Sequence, residues 1–166
     1  MFRIRQAGIA DLPAATRMLA KAWRESYAGV VPDAVLDARE AGSGRQAERW
    51  ALSASQGTYF WIVVDDSGEI VGVASALPAR DDDPPAALEL AMIYLLDVAK
   101  GSGIADRLLQ VCVGDAPAYL WVLEENPRAR SFYRKHGFEP NGRRQVLAMG
   151  DTDVPEIMLV RGDARV

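Results

Sequence analysis

The stretch Lys100–Gln110, KGSGIADRLLQ, decides how this chain is read. It leaves a long apolar segment, ALELAMIYLL at 87–96, passes two glycines, and enters a run with helical spacing. Ile104, Leu108 and Cys112 make one stripe of that run, with Ala105 and Leu109 beside it. The pattern predicts a buried strand, a tight turn at 101–103 and a helix to about residue 113. Glycines before a helix let backbone N–H groups turn toward a ligand, and the helix N-terminus adds roughly half a positive charge. Such a turn suits an anion, most naturally phosphate, although a plain strand-to-helix turn explains the same residues. A Walker A loop is excluded because no Gly-Lys-Ser/Thr follows Gly101. A dinucleotide fingerprint is excluded because Asp106 stands where the third glycine belongs, placing a carboxylate beside the pyrophosphate.

Working outward, strands and helices alternate on the C-terminal side and strands pair directly on the other. TYFWIVVD at 58–65 and EIVGVASAL at 69–77 flank the turn DSG, a β-hairpin pattern. PARDDDPP at 78–85 reads as a loop. Upstream, FRIRQA predicts a short opening strand, and Asp11 an N-cap for a helix ending at Gly29. Leu12, Ala15, Leu19, Ala22, Trp23 and Tyr27 give that helix its apolar face. A second helical region covers 33–53, interrupted by GSG at 42–44. Downstream come a strand at 118–124, a helix from Pro127 to His136, and strands at 144–149 and 155–160. The expected architecture is α+β: a mixed, mostly antiparallel sheet of about six to seven strands flanked by about four helices.

Composition limits the function classes. The chain has 166 residues, 49% hydrophobic and 25% charged, as expected for one globular domain spanning 1–166. A net charge of −4 argues against a nucleic-acid-binding surface and against a polybasic membrane patch. One cysteine, Cys112, and one histidine, His136, exclude a disulfide framework and leave no His/Cys set for a metal. The N-terminus carries no secretory pattern, so a cytoplasmic protein is expected.

Lys100-Gly101-Ser102-Gly103-Ile104-Ala105 resembles the Arg/Gln-x-x-Gly-x-Gly/Ala loop of the GCN5-related N-acetyltransferases (GNAT), which holds the pyrophosphate of acetyl-CoA. Lys100 replaces the usual Arg or Gln, keeping positive charge but losing the bidentate reach of Arg. LWVLEENPRARSFYRKHGF, 120–138, is similar to the family's next strand and helix, with Asn126, Ala129, Phe132, Tyr133, Gly137 and Phe138 in the recurrent positions. Asn126 can also cap that helix, with Pro127 at its first position and Gly137 as its stop. WRESYAGVVP at 23–32 and ERW at 48–50 are similar to a bacterial subgroup.

The resemblance implies an acetyl-CoA-dependent N-acetyltransferase acting on a primary amine, without a metal, by direct attack in a ternary complex. It implies that the backbone of Ile93, Tyr94 and Leu95 binds the pantetheine amides and polarises the thioester carbonyl. Asn126 would contact the pantetheine arm, and Tyr133 would protonate the departing thiolate. Glu89, eleven residues before Lys100, would be the general base through water; a solvated strand-end glutamate is the alternative. Glu124 and Glu125 are further candidates at the end of the neighbouring strand. His136 reads as a cation complementing a helix C-terminus, and Cys112 as an inert packed thiol. Trp23 and Tyr27 could wall the acceptor site or simply be core, and Asp81-Asp82-Asp83 could attract a cationic acceptor or simply be solvated. Competing functions are a non-catalytic acyl-CoA-binding or sensor module of the same fold, and a nucleotide-binding domain resting on the glycine turn alone. An exposed edge of the final strands could pair in a homodimer.

Overall fold

The computed structural model describes residues 1–162. The aromatic and β-branched run around Trp61 pairs on both sides, as extended residues with bulky side chains favour. Strand β1 (Arg3–Gln6) and strand β3 (Ile70–Pro78) flank strand β2 (Phe60–Val64), both antiparallel to it. Asp65 closes the β2–β3 turn, its Oδ1 accepting from the backbone N–H groups of Ser67 and Glu69 at 2.9 and 3.0 Å. The Ser67 hydroxyl, ahead of these amides, holds the Asp65 carboxyl below its ordinary range.

These strands belong to a compact unit made of residues 1–76 and 92–112. Its helices are α1 (Leu12–Tyr27), α2 (Asp33–Ala41) and α3 (Ser43–Ser55). The apolar face expected for α1 is buried throughout, from Leu12 to Tyr27. Trp50 of α3 stacks on Phe60 of β2 with ring centroids 4.6 Å apart. Asp11 does not cap α1. A short 3-10 turn, Ile9–Asp11, precedes the helix, and the Asp11 carboxylate accepts from the Gly8 N–H and from Arg5 instead. The helical region at 33–53 is two helices, broken at Gly42, which raises the α-helices to five.

Strand β4 (Leu88–Leu95) ends in this unit. The end is fixed by Gly72 of β3: a Cβ there would stand 2.3 Å from Leu95 Cδ2 and 3.0 Å from Val63 Cγ2. Only glycine leaves Leu95 that space, and the Leu96 N–H then donates to the Val71 carbonyl at 2.9 Å. Helix α4 (Ile104–Val113) follows, burying Ile104, Leu108 and Leu109.

The second unit consists of residues 77–91 and 113 onward. Strand β5 (Ala118–Leu123) runs parallel to β4, in register at Glu89 and Tyr119. The connection through α4 is the long crossover that parallel strands require. After α5 (Pro127–Lys135), strands β6 (Glu139–Met149) and β7 (Thr152–Arg161) form a long antiparallel pair, and β7 also pairs with β5. β6 begins five residues before the expected 144, with an irregularity between Pro140 and Arg144 that hides its start from period-2 reading. Hydrogen bonding links the strands in the order β1-β2-β3-β4-β5-β7-β6. This is a mixed, mostly antiparallel α+β fold. Among the described residues no helix is long and apolar enough to cross a membrane.

Candidate functional site

In the first unit, the chain leaves β4 at Ile93-Tyr94-Leu95 and makes a 3-10 turn at Asp97–Ala99 before the glycine loop. Gly101 and Gly103 have φ of 79° and 80°, and nothing lies within 4 Å of where a Cβ would stand on either. Left-handed backbone at both positions is cheap only for glycine. Ser102 between them donates to the Ala99 carbonyl at 2.6 Å and accepts from the Ile104 N–H at 3.4 Å. The loop is thus braced by one hydroxyl.

Two residues of α1 anchor the same segment. Glu25 accepts from the Asp97 N–H at 2.7 Å, and Ser26 Oγ lies 3.4 Å from Lys100 Nζ. Lys100 also donates to Asp97 at 2.6 Å. Its ammonium therefore stands at the loop that opens α4, held by an exposed carboxylate with which an incoming anion would compete. Ile104 packs into the core and Ala105 is half-buried, so both support the loop from beneath.

Also in this unit, Trp23 and Tyr27 are buried, with ring centroids 4.6 Å apart, and Trp23 lies 5.9 Å from the Tyr94 ring. The guanidinium carbon of Arg39 sits 3.5 Å from the Trp23 centroid. Burial, above all, pulls the Arg39 pKa below the ordinary guanidinium value. Trp23 and Tyr27 are core residues that nonetheless reach the expected acyl-binding strand at Tyr94.

In the second unit, Asn126 caps α5 as expected, Oδ1 accepting from the Ala129 N–H at 3.0 Å. Tyr133 is buried on α5, edge-on to Phe132 at 5.5 Å and to Phe138 at 6.1 Å. Gly137 (φ 83°) ends the helix, and the Phe138 N–H returns to the Tyr133 carbonyl at 3.1 Å. Arg161 of β7 lies over the Phe138 ring and donates to the carbonyls of Gly114, Ala116 and His136.

Glu89 is not a solvated strand-end residue: it is 5% exposed. Arg80 grips it with two bonds, Nη2 to Oε1 at 2.7 Å and Nε to Oε2 at 2.9 Å, and the Tyr119 hydroxyl donates to Oε2 at 3.2 Å. Tyr119 is fully buried, and that burial pushes its phenol up to about 12, so it remains a donor. Its oxygen accepts from the Arg80 N–H at 3.2 Å, tying the 78–87 loop to β5. The acidic run is largely spent within this unit. Trp121 Nε1 donates to Asp81 at 3.2 Å and Arg143 pairs with Asp83 at 2.8 Å. Glu124 is paired with Arg144, while Glu125 is exposed.

Arg80, Tyr119 and Arg39 escaped the sequence reading. Arg80 lies in a loop that looked merely acidic, and its partnership with Glu89 depends on the Ala79 N–H to Ala87 carbonyl bond that folds the loop back. Cys112 is half-buried, and burial pushes its thiol up to about 12, in keeping with an inert side chain. Among the described residues no group of three or more His, Cys, Asp or Glu side chains could hold a metal ion.

Residues 56–140 match the model of the family described as acetyltransferase (GNAT) domain. The chain is 28% identical over 144 residues to Probable N-acetyltransferase Rv2775 of Mycobacterium tuberculosis, covering 85% of this chain and 82% of that protein. Among solved structures, the PaiA N-acetyltransferase of Thermoplasma acidophilum in complex with coenzyme A is similar, with a TM-score of 0.69 and 19% identity over 95% of this chain and 98% of that one. A phosphinothricin acetyltransferase of Sinorhizobium meliloti in complex with acetyl-CoA gives 0.68 and 22%, over 99% and 92%. At these identities the two structures establish a shared fold.

Proposed function

Because this chain belongs to the acetyltransferase (GNAT) domain family, we propose that it transfers the acetyl group of acetyl-CoA to a primary amine. The observation that carries the reading is the Gly101–Gly103 loop: two left-handed glycines with open space beside them, at the start of α4, next to the Lys100 ammonium. Relatives of this fold are described in complex with coenzyme A and with acetyl-CoA. Lys100 and the backbone of Gly101, Ser102, Gly103, Ile104 and Ala105 would take the pyrophosphate. Ile93, Tyr94 and Leu95 would bind the pantetheine amides through their backbone, and the thioester carbonyl would take a hydrogen bond there. Asn126 would meet the pantetheine arm.

The amine nitrogen attacks the thioester carbonyl carbon, the C–S bond breaks, and the products are an N-acetyl amine and the coenzyme thiol. Tyr133 supplies the thiol proton; a phenol near pKa 10 is protonated at neutral pH and can donate to a thiolate near 8.5. Glu89 takes the proton leaving the amine, through water. Three donors already occupy its oxygens, two from Arg80 and one from Tyr119. A carboxylate has about four lone-pair positions, so one on Oε1 remains for that water. The whole chain, 1–166, acts as one acetyltransferase domain in the cytoplasm, and the exposed edge strand β6 offers a second copy a place to pair.

One observation favours a second reading, a non-catalytic acyl-CoA-binding module: the carboxylate expected to act as base is buried and gripped. A thermal-shift titration with acetyl-CoA, coenzyme A, ATP and NAD tests donor binding. Ligand at a hundredfold its Kd should add about 2.7 kcal/mol of stability. Thiol release with an amine panel then separates enzyme from binding module. A shift with ATP or NAD and none with acetyl-CoA would overturn both.

A further inference from the structure

We propose that Arg39 anchors a carboxylate on the acceptor, so that the amine acetylated here is an amino acid or a similar carboxylated amine. The inference rests on the acetyltransferase reading and adds the chemical class of its acceptor.

Arg39 is the arginine of α2 that the fold does not use in an ion pair. Its neighbours Asp37 and Glu40 are both claimed by Arg24 of α1, at 2.6 and 2.7 Å. Among the described residues no carboxylate pairs with Arg39; it stacks on the Trp23 ring, and the Tyr94 and Tyr27 phenols favour its charge. A half-buried guanidinium carries five N–H donors, and since no buried side-chain nitrogen or oxygen among the described residues lacks a partner, those the protein does not pair face solvent. Water or a ligand must meet them.

The way Arg39 is held says what kind of ligand fits. A guanidinium carbon 3.5 Å from a ring centroid lies face-on to the indole, because an edge-on approach would drive a nitrogen into the ring. Stacking fixes the plane and leaves the forked N–H edge free in that plane. This is the geometry that recognises a carboxylate through two parallel bonds. Burial, which disfavours the Arg39 charge, is what an anionic partner would relieve.

Its position ties this fork to the reaction. Trp23, on which Arg39 rests, lies 5.9 Å from the ring of Tyr94, and Tyr94 sits in the β4 segment proposed to hold the thioester. Tyr27 completes an aromatic wall at 4.6 Å from Trp23. Both of those rings are buried, so a carboxylate on Arg39 would direct the carbon skeleton of an amino acid toward the half-buried Tyr94.

The test compares matched acceptors that differ only by the carboxylate: phenylalanine with phenethylamine, tryptophan with tryptamine, leucine with isoamylamine, lysine with cadaverine. Coenzyme thiol release is measured for the wild-type chain, Arg39→Gln and Arg39→Lys, with melting temperature and the acetyl-CoA-induced shift recorded for each. The wild type should prefer the carboxylated member of at least one pair by about tenfold or more in kcat/KM. In Arg39→Gln that ratio should collapse toward one with the acetyl-CoA shift retained. Arg39→Lys, which keeps the charge but not the fork, should recover only part of it. A wild type with no such preference, or a preference that survives in Arg39→Gln, overturns the proposal. An acetyl-CoA shift without turnover of any carboxylated amine also overturns it and leaves donor binding standing. Loss of both the shift and all thiol release overturns the acetyltransferase reading itself.

Discussion

Arg80 holds Glu89 from both sides of its carboxylate, Nη2 on Oε1 and Nε on Oε2, across the loop that joins β3 to β4. Glu89 is buried while the Arg80 side chain is 62% exposed, so the pair is shielded on one side only. Arg80 keeps its charge firmly, its pKa raised first by the hydrogen bond to Glu89.

Glu89→Gln should separate acceptors by basicity. At pH 7 a lysine-like amine near pKa 10.4 costs about 4–5 kcal/mol to deprotonate and a peptide-type α-amine near 8 about 1. Loss of the base should therefore lower kcat by about 10²-fold for the first kind and by much less for the second. Equal rates for wild type and variant on every amine would remove Glu89 from the mechanism. Arg80→Ala, by contrast, leaves a buried carboxylate without its cation, held by the Tyr119 hydroxyl, and should cost about 1–3 kcal/mol in denaturant unfolding.

Gly103→Ala tests the loop without adding a clash. Nothing stands near the new methyl group, so the cost is the left-handed φ of 80°, about 1–2 kcal/mol. If the backbone relaxes to relieve it, the acetyl-CoA-induced thermal shift should shrink. Gly72→Ala is the contrasting variant, with a methyl group forced against Leu95 and Val63 and an overpacking cost of about 1–3 kcal/mol.

Tyr133→Phe removes only a hydroxyl from a ring packed against Phe132 and Phe138. The variant keeps that ring packing, and thiol release should fall by about 10²-fold or more. Activity equal to wild type across the pH range would exclude Tyr133 as the acid.

Asp11 gives a pH-dependent stability of known sign. Its hydrogen bond with Arg5, first among the causes, holds the carboxyl below the ordinary 3.8. A depressed pKa contributes stability above 3.8 that disappears as pH falls through the lower, folded value. The difference between wild type and Asp11→Asn, under about 1 kcal/mol for a pair this near the surface, should be constant at neutral pH and vanish in that acidic window. A difference that persists once the carboxyl is protonated would show that the effect does not come from its charge.

Most elements were legible because their signals are local. The β2–β3 hairpin announces itself through β-branched residues around a turn, and α5 through Asn126, Pro127 and Gly137 at its two ends. The glycine loop was legible for the same reason, since left-handed positions select glycine. Contacts made over long sequence distance left no such mark. Tyr119 reaches Glu89 from 30 positions away, and Arg39 finds Trp23 only once α1 and α2 have packed. Asp11 misled because a carboxylate before a helix usually caps it, whereas here Arg5 and Gly8 compete for it and win. The start of β6 was hidden by Asn141 and Gly142, which break the alternation inside the strand.

Arg161 closes the β7 strand by donating to three carbonyls, at Gly114, Ala116 and His136, and by lying on Phe138. One side chain thereby fastens the residue after α5 to the Gly114–Ala116 segment. Trimming to Val160 would delete that fastener and should lower the melting temperature, whereas an affinity handle fused after Gly162 leaves Arg161 in place.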